Sequence, residues 1–510
     1  MRVTFINPNL GYFGVPNLGL AYVMAATAGR HTVNLIDLTF RGPHVGRHIR
    51  ASVRAFAPEV IAISANSFTI QDSLRIARLL KASLGPVKIV LGGIHPTFFP
   101  DDTLRNRDID AVCIGEGEES FVEYLACLEG ARDPAVAGIW YKNAHGMVVR
   151  NGLRPFRSRL DEVCFPNWDS WDVEAYLASS SFFAGSLVHM ASRGCPYDCT
   201  FCSSPVMRKS LPGVFFRQRS AENITAEIEE NYKKYAGRGF KRIVFIDSVF
   251  GLDRKWLDEF CAAYARTQAH RALPWICQTR ADIIDRDWCR QVRQAGCLLV
   301  DLGVESGNEA VRRKVYNKQV SDAQIFEAAA LLKSSGILYR INMIVGCPQD
   351  TRETVRDTVR FREKIKPAGV RYTLYQPLPK TELGSVWSGK RFAQRRGIAN
   401  RWDVPQLAVR GMSKSCLAVL MLKLRVLRYA SSIKEYSART RKSVLKELFA
   451  YLMACGTNKR RIPLFHPYAF SSWFDTIEQV NLLSRFEKAG TVCTDEDTLG
   501  RSSPAENHKR

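Results

Sequence analysis

The 510-residue chain lacks long hydrophobic runs, and no stretch approaches the ~18 consecutive apolar residues that a membrane span needs. Residues 1–8 show none of the basic region, apolar run and cleavage site of a signal peptide. No internal repeat is visible. A hydrophobic fraction of 46% and a charged fraction of 24% exclude fibrous and wholly disordered chains. We therefore expect a cytoplasmic protein of two or three globular domains.

Most of the fourteen cysteines are scattered, which is typical of small buried hydrophobic residues. In a large cytosolic chain, metal binding or catalysis is a more common use of cysteine than disulfide formation. Only Cys195, Cys199 and Cys202 lie close together in the sequence.

Acidic residues are scarce between positions 390 and 461, where 18 Lys or Arg stand against Asp403, Glu435 and Glu447. Most of the net charge of +23 therefore belongs to one C-terminal region. This distribution favours a local basic module over a surface that coats nucleic acid.

Residues 1–130 alternate strand-like and helix-like segments. The predicted strands are 3–7, 32–38, 60–65, 88–91 and 111–114, and the predicted helices include 18–29, 48–56 and 70–84. This alternation predicts an α/β fold with a doubly wound, Rossmann-like parallel sheet, whose ligands bind beyond the carboxyl ends of the strands.

Three loops would occupy that edge of the sheet. Ser64-Ala65-Asn66 follows the third strand, and Gly92-Gly93 follows the fourth, where glycine lets the backbone approach a bulky ligand. After the fifth strand, Gly115 begins the segment Gly115-Glu116-Gly117-Glu118-Glu119, whose acids suit the positive end of a following helix.

Residues 131–185 are predicted to form a connector with a hairpin, and residues 186–388 return to alternating strands and helices. The predicted strands of this second domain are 187–192, 242–247, 275–279, 298–303, 339–345 and 371–376. Six such units predict a partial (β/α)6 barrel with its functional residues at the carboxyl ends of the strands. Residues 389–490 are predicted to be a basic, mainly helical region, with helices at 417–429 and 444–453, and residues 491–510 a disordered tail.

The segment Cys195-Pro196-Tyr197-Asp198-Cys199-Thr200-Phe201-Cys202 follows the first strand of the predicted barrel. A structural zinc site would want a fourth local cysteine or histidine, which does not follow nearby. Four-iron clusters are normally held by four cysteines, so three cysteines leave one iron free to bind a substrate or cofactor. The triplet favours such a cluster, with zinc as the alternative.

This segment resembles the C-x3-C-x-Φ-C signature of the radical S-adenosylmethionine (SAM) enzymes, with Phe201 at the aromatic position. The resemblance implies that Cys195, Cys199 and Cys202 hold a 4Fe-4S cluster whose open iron binds SAM. One-electron reduction then cleaves SAM to methionine and a 5′-deoxyadenosyl radical, and Phe201 lies beside the adenine.

The resemblance also implies SAM contacts at the other strand ends of the barrel. A polar side chain at such a position could equally stabilise its loop. The expected SAM-binding residues are Asp247, Ser248, Gln278, Arg280, Glu305, Ser306, Gly346 and Gln376.

A doubly wound domain before a radical SAM barrel resembles the cobalamin-dependent subgroup of that family, and this resemblance covers roughly residues 1–385. The family's S-x-L element corresponds to Ser64-Ala65-Asn66, and 25 residues separate it from Gly92-Gly93. The D-x-H-x-x-G element is absent, since the loop after the first strand is Asn7-Pro8-Asn9-Leu10-Gly11. The expected cobalamin-binding residues are Asn9, Ser64, Asn66, Gly92, Gly93 and Gly115.

His95 follows the wrong strand to replace the missing axial histidine, and we interpret it as a loop histidine. The alternative for this domain is a flavodoxin-like fold that binds another cofactor or none.

The resemblance implies an enzyme that uses one SAM for the radical and a second to methylate cobalamin, which then methylates an unactivated carbon or phosphorus. The alternatives are a cyclase similar to the anaerobic magnesium-protoporphyrin ester cyclases, and a cobalamin-sensing nucleic-acid-binding regulator. Nucleic acid is the less favoured partner because no base-stacking or helix-turn-helix signature is present.

The expected partners are a small-molecule or lipid-like substrate and an external electron donor of the flavodoxin or ferredoxin type. The basic C-terminal region could be a solvated cap over the barrel mouth. It could instead contact an anionic membrane surface or a phosphorylated substrate, through residues 425–429 and 459–461.

Overall fold

The computed structural model describes residues 1–10, 14–41, 44–178, 185–385, 409–421 and 423–424. Its strands are β1 (Arg2–Asn7), β2 (Thr32–Asp37), β3 (Val60–Ser64), β4 (Lys88–Gly92), β5 (Ala111–Cys113), β6 (Ile139–Lys142), β7 (Val148–Arg150), β8 (Ser186–His189), β9 (Ser192–Arg193), β10 (Arg217–Gln218), β11 (Arg242–Phe245), β12 (Trp275–Thr279), β13 (Cys297–Glu305), β14 (Leu338–Val345) and β15 (Gly369–Leu374). Its helices are α1 (Leu18–Ala28), α2 (Val45–Phe56), α3 (Ile70–Leu84), α4 (Ile94–Phe98), α5 (Pro100–Leu104), α6 (Gly117–Glu129), α7 (Val173–Leu177), α8 (Ser204–Ser210), α9 (Ala221–Tyr235), α10 (Arg254–Ala265), α11 (Ala269–Ala272), α12 (Arg286–Gln294), α13 (Asp322–Ser334), α14 (Arg352–Ile365) and α15 (Glu382–Ser385), with a π-helical turn at Val311–Val315.

The first sheet has the strand order β2-β1-β3-β4-β5-β6-β7. Strands β1 to β5 are parallel, which confirms the predicted doubly wound sheet. The hairpin that we predicted within the connector is instead hydrogen-bonded to this sheet, because β6 pairs antiparallel with β5. Its side chains explain the docking, since Ile139 is fully buried and Tyr141 is 8% exposed.

The second sheet has six parallel strands in the order β15-β14-β13-β12-β11-β8, which confirms the predicted partial barrel. A separate antiparallel pair, β9 and β10, was not predicted. Each of its strands is two residues long, too short to produce a recognisable pattern in the sequence.

The helices around the barrel begin where their sequences provide N-terminal caps. The Ser321 and Gln324 side chains form a capping box at α13, and Thr351 and Thr354 form another at α14. The apolar faces of the barrel helices pack on the outside of the strands, where Trp275 and Trp288 are fully buried.

Residues 414–421 are helical, which overlaps the predicted helix at 417–429. Leu417 and Met421 pack with Val345 and Leu374 of the last two barrel strands. The predicted helix at 444–453, the contact residues 425–429 and 459–461, and the tail at 491–510 lie outside the described residues. Among the described helices, none has the length and apolar character of a membrane span.

Candidate active site

The cysteine loop, residues 194–203, begins where β9 ends beside the mouth of the barrel. Gly194 has a φ of +91°, and a Cβ at this position would lie 2.1 Å from the Phe215 carbonyl oxygen. Only glycine allows this approach, so Gly194 fixes the direction in which the chain enters Cys195. Cys195, Cys199 and Cys202 are all partly exposed free thiols.

Contacts with the segment after β13 hold the cysteine loop in place. The Thr200 N–H donates to the Tyr316 carbonyl at 3.1 Å, and its hydroxyl donates to the Val315 carbonyl at 2.6 Å. Phe201 packs edge-on against Tyr316, with ring centroids 5.1 Å apart. Phe201 thus belongs to an aromatic wall beside the cysteines, a position from which it can meet a planar ligand.

Burial disfavours the thiolate forms that metal binding requires. It raises the pKa of Cys199 to about 11 and also raises that of Cys195. The positive charges of Lys318 and Arg280 act in the opposite direction on both thiols. These two cations therefore belong to the electrostatic surroundings of the cysteine loop.

Among the described residues, no three His, Cys, Asp or Glu side chains converge as the ligands of one metal ion do. A four-iron cluster distributes its three cysteine ligands over three different irons. The cysteine loop is compatible with this wider arrangement, which does not require convergence on a single point.

Glu305 lies at the end of β13 and pairs with Lys318, which we did not predict. Lys318 Nζ lies 3.1 Å from Glu305 Oε1, and both side chains are largely buried. Glu305 has a φ of +66° at the irregular end of β13, a conformation that non-glycine residues rarely adopt. A Cβ on Gly303 would lie 2.6 Å from Lys318 Nζ, so Gly303 leaves the space for this pair.

Arg280 contacts the cysteine loop through Tyr197, whose ring centroid lies 3.6 Å from the guanidinium carbon. Its guanidinium also donates two hydrogen bonds to Asp282, at 2.9 and 2.7 Å. Ser248 and Gln278 are exposed at neighbouring strand ends, where Gln278 Nε2 donates to the Ser248 carbonyl at 3.4 Å. The structure thus groups Arg280 with the loop and leaves Ser248 and Gln278 open to solvent.

Two of the expected SAM-binding side chains, Asp247 and Ser306, make hydrogen bonds within the protein, and their contact with SAM stays a prediction. The buried Asp247 carboxylate accepts hydrogen bonds from the Ala191 N–H and the Ser192 hydroxyl, and burial raises its pKa to about 6. It thereby supports the chain between β8 and β9. The Ser306 hydroxyl is 3.2 Å from the Thr358 hydroxyl of α14, on the side of β13 that faces away from the barrel interior.

Gly346 and Gln376 lie at the ends of the last two barrel strands. The Gly346 N–H donates to the buried Asp350 carboxylate at 2.9 Å. Gln376 is 6% exposed, and neither its amide oxygen nor its amide nitrogen has a hydrogen-bond partner among the described residues. The Asn342 amide oxygen is in the same situation. Buried polar atoms normally have hydrogen-bond partners. The unpartnered amide atoms of Gln376 and Asn342 therefore fit a barrel that binds a polar ligand such as SAM.

The polar residues expected at the first-sheet edge, the carboxyl ends of β1 to β5, make local hydrogen bonds. Asn9 Nδ2 donates to the Thr39 hydroxyl at 3.1 Å. Ser64 accepts from the Asn17 side chain at 3.0 Å. Asn66 accepts from the backbone N–H groups of the turn that follows it. These contacts shape the loops, and binding by these three side chains stays a prediction.

The glycines at this edge allow neighbouring segments to approach closely. A Cβ on Gly93 would lie 2.7 Å from the Ala65 carbonyl oxygen, so the two loops meet only because Gly93 lacks a side chain. Gly92 has no such close neighbour, whereas a Cβ on Gly115, which has a φ of +86°, would lie 2.7 Å from Leu211 Cδ1. The protein itself fills the space beside Gly93 and Gly115, and cobalamin binding by the three glycines stays a prediction.

His95 follows β4 but lies within α4, so our interpretation of it as a loop histidine is wrong. Its Nδ1 is 3.1 Å from the Ser67 hydroxyl, and burial lowers its pKa to about 4. This neutral imidazole links α4 to the loop after β3.

Glu118 and Glu119 lie in the first turn of α6, at its positive end as expected, whereas Glu116 has a different role. Glu116 makes no side-chain hydrogen bond to the N-terminus of α6 and binds Arg193 and Arg217 of the β9–β10 pair. Glu118 also binds Arg193, at 2.6 Å. Pairing across domains is not visible in a local pattern, although Arg193 stands only two positions before Cys195.

Two family models match the chain. Residues 11–125 match the B12 binding domain, and residues 190–362 match the radical SAM superfamily. The chain is 30% identical over 375 residues to the uncharacterised methyltransferase PH0819 of Pyrococcus horikoshii, covering 72% of this chain and 77% of that protein.

A second relative is the anaerobic magnesium-protoporphyrin IX monomethyl ester cyclase of Rubrivivax gelatinosus, 27% identical over 75% of this chain and 69% of that one. Among solved structures, the fold is similar to that of the radical SAM methyltransferase TsrM from Kitasatospora setae with cobalamin and a 4Fe-4S cluster bound. The TM-score is 0.62 at 18% identity, over 75% of this chain and 74% of that one.

Proposed function

Because the chain belongs to the cobalamin-dependent radical SAM enzymes, we propose that it is a methyltransferase acting on an unactivated carbon or phosphorus. Its cofactors in this proposal are a 4Fe-4S cluster at Cys195, Cys199 and Cys202, SAM on that cluster, and cobalamin at the first-sheet edge. The substrate class is a small molecule or a lipid-like molecule.

The observation that supports this proposal most is the contact between the first-sheet edge and the segment that follows the cysteines. Leu211, just after α8, packs where a Cβ on Gly115 would be, 2.7 Å from its Cδ1. The first-sheet edge therefore contacts the segment that follows the cysteine loop, and this proximity supports methyl transfer between a cobalamin site and a SAM site.

When bound, the cluster would supply the electron that cleaves SAM, and cobalamin would carry the methyl group. The chain's own residues bind and orient these groups. The three thiolates would hold the cluster and leave one iron for SAM, while Glu305 and Lys318 present a carboxylate and an ammonium group beside the cysteine loop. Phe201 offers an aromatic face, and Gln376 offers an unpaired amide to the purine or ribose.

Labelled SAM tests the proposal against the cyclase alternative, which the Rubrivivax relative favours. Reduced, reconstituted enzyme is incubated with methyl-labelled SAM and extracts separated into aqueous and lipid fractions. A methyltransferase places the label in a product other than methionine, whereas a cyclase forms 5′-deoxyadenosine and labelled methionine and no further labelled product. Once labelled methionine has been separated, the fraction that carries the remaining label distinguishes a water-soluble substrate from a lipid-like one.

An external flavodoxin or ferredoxin is our proposed electron source, and the cytoplasm our proposed location. We also propose that the basic C-terminal region, with 18 cationic residues between 390 and 461, contacts anionic membrane surfaces. Flotation with vesicles containing an anionic lipid should then exceed flotation with neutral vesicles and should fall with added salt. Equal flotation with both would contradict the membrane contact.

A further inference from the structure

The Glu116 carboxylate lies between the first-sheet edge and the cysteine loop, and all of its acceptor positions are used. Arg217 donates to its two oxygens, each at 2.9 Å. Arg193 donates to Oε1 at 3.2 Å, and the Arg157 backbone N–H donates to Oε2 at 3.0 Å. A carboxylate with four donors has a defined position and orientation.

The two arginines form a single unit on the barrel side. Arg193 of β9 and Arg217 of β10 are partners in the register of the antiparallel pair. Strand β9 leads directly into Gly194 and Cys195, so a displacement of Arg193 is passed to the first cysteine. The close approach of Gly194 to the Phe215 carbonyl leaves little freedom between the arginine and the thiol.

The charges at this contact are balanced and shielded. The Arg217 side chain is 4% exposed and Arg193 is 13% exposed, against 21% for Glu116. Glu118 supplies the second negative charge through its contact with Arg193. Salt screens such a shielded ion pair only weakly. The two hydrogen bonds from Arg217 to Glu116 also fix the relative orientation of the two side chains.

The first domain contacts residues that precede the cysteine loop and residues that follow it. Arg193 precedes the three cysteines, and Leu211, which packs against Gly115, follows them. Gly115 and Glu116 are consecutive residues at the first-sheet edge. A single short segment of the first domain therefore contacts the entry and the exit of the loop.

We propose that Glu116 is a positioning residue that fixes the separation between the cobalamin and cluster sites. That the two sites hold cobalamin and a cluster rests on the proposed function. The contact of Glu116 with Arg193 and Arg217, which we call the joint, is seen in the structure itself. Loss of the joint should leave the cysteine loop able to hold its cluster but misalign the two sites.

The test compares wild-type holoenzyme with Glu116→Gln, Arg217→Lys and the matched control Glu123→Gln. Glu123 lies in α6 and pairs with Arg154, which contacts neither Glu116 nor the β9–β10 pair. The reduced enzyme, supplied with dithionite, is assayed for two products of SAM. S-adenosylhomocysteine reports transfer of the methyl group, and 5′-deoxyadenosine reports cleavage at the cluster.

Glu116→Gln should keep its iron and form 5′-deoxyadenosine within about twofold of wild type, while the ratio of S-adenosylhomocysteine to 5′-deoxyadenosine falls at least tenfold. A role limited to stability would lower both products together and leave their ratio unchanged, and that result would overturn the proposal. Arg217→Lys keeps a cation but loses the second hydrogen bond. It should lower the ratio less, and it also replaces Glu116→Gln if that variant does not fold.

Hydrogen–deuterium exchange of the cofactor-free chains provides an arm that does not depend on activity. Glu116→Gln should increase exchange in residues 111–118 and 191–218 together, whereas Glu123→Gln should not. Unchanged exchange in either segment would refute the joint. If the wild type forms neither product of SAM, the proposed function fails, and the exchange data still decide whether Glu116 joins the loops.

Discussion

Lys318 Nζ lies 3.1 Å from Glu305 Oε1 directly above Gly303, next to the loop that carries Cys195, Cys199 and Cys202. The pair is buried, and Glu305 adopts the left-handed backbone region. A strained, charged pair at the end of a barrel strand is characteristic of a binding site.

Glu305→Gln should weaken the binding of SAM by about tenfold, because an ionised acceptor forms the stronger hydrogen bond, a difference of roughly 1–2 kcal/mol. Equilibrium binding to the reconstituted enzyme measures this effect. Glu309→Gln is the control, since Glu309 makes ion pairs with Arg312 and Arg313. An unchanged SAM affinity in Glu305→Gln with full iron content would rule out the contact.

Gly93→Ala should reduce cobalamin binding and destabilise the first domain by about 1–3 kcal/mol. The added Cβ would lie 2.7 Å from the Ala65 carbonyl oxygen, and the φ of +99° is unfavourable for alanine. Titration with cobalamin and a melting curve test the two effects. Gly29→Ala serves as the control because nothing lies within 4 Å of its new Cβ and its φ is −66°. Wild-type cobalamin affinity in Gly93→Ala would contradict our assignment of this loop.

His189 should make the stability of the barrel depend on pH. Asn231 donates to His189 Nε2 at 3.1 Å, which requires a neutral ring, and burial lowers the pKa of His189 to about 3. The unfolded chain, with a pKa near 6.5, binds the proton that the folded chain excludes. The stabilising contribution is therefore complete above about pH 6.5 and is lost as the pH falls toward 3, by up to about 1.4 kcal/mol per pH unit.

Denaturant unfolding between pH 4.5 and 7.5 measures this dependence. His189→Gln should show a shallower loss of the free energy of unfolding at acidic pH than wild type, and the exposed His145→Gln should not. Identical slopes for His189→Gln and wild type would contradict the account.

The architecture could be predicted from sequence because its signals are local. Buried strands such as β3 and β12 are short apolar runs, and the cysteine triplet is a contiguous motif. The hairpin of β6 and β7 was also visible, but its attachment to β5 depends on a neighbour that is distant in the sequence.

Side-chain roles at the strand ends were less predictable. Asp247 and Ser306 stand at the expected positions, yet their oxygens bind Ser192 and Thr358. Lys318 was missed because it follows β13 by thirteen residues and returns to Glu305 only after the π-helical turn. Contacts of this kind arise from folding in three dimensions, and a linear motif does not contain them.

Anaerobic reconstitution of the wild type and of Cys195→Ser, Cys199→Ser and Cys202→Ser, followed by metal analysis and an assay for 5′-deoxyadenosine, tests whether these three cysteines hold the cluster that cleaves SAM. Cys164→Ser, at an exposed cysteine far along the chain from the triplet, is the control. We predict about four irons per chain and reductive cleavage of SAM in the wild type and the control, and loss of cleavage in each triplet variant. Zinc in place of iron, or cleavage that persists in a triplet variant, would contradict the account.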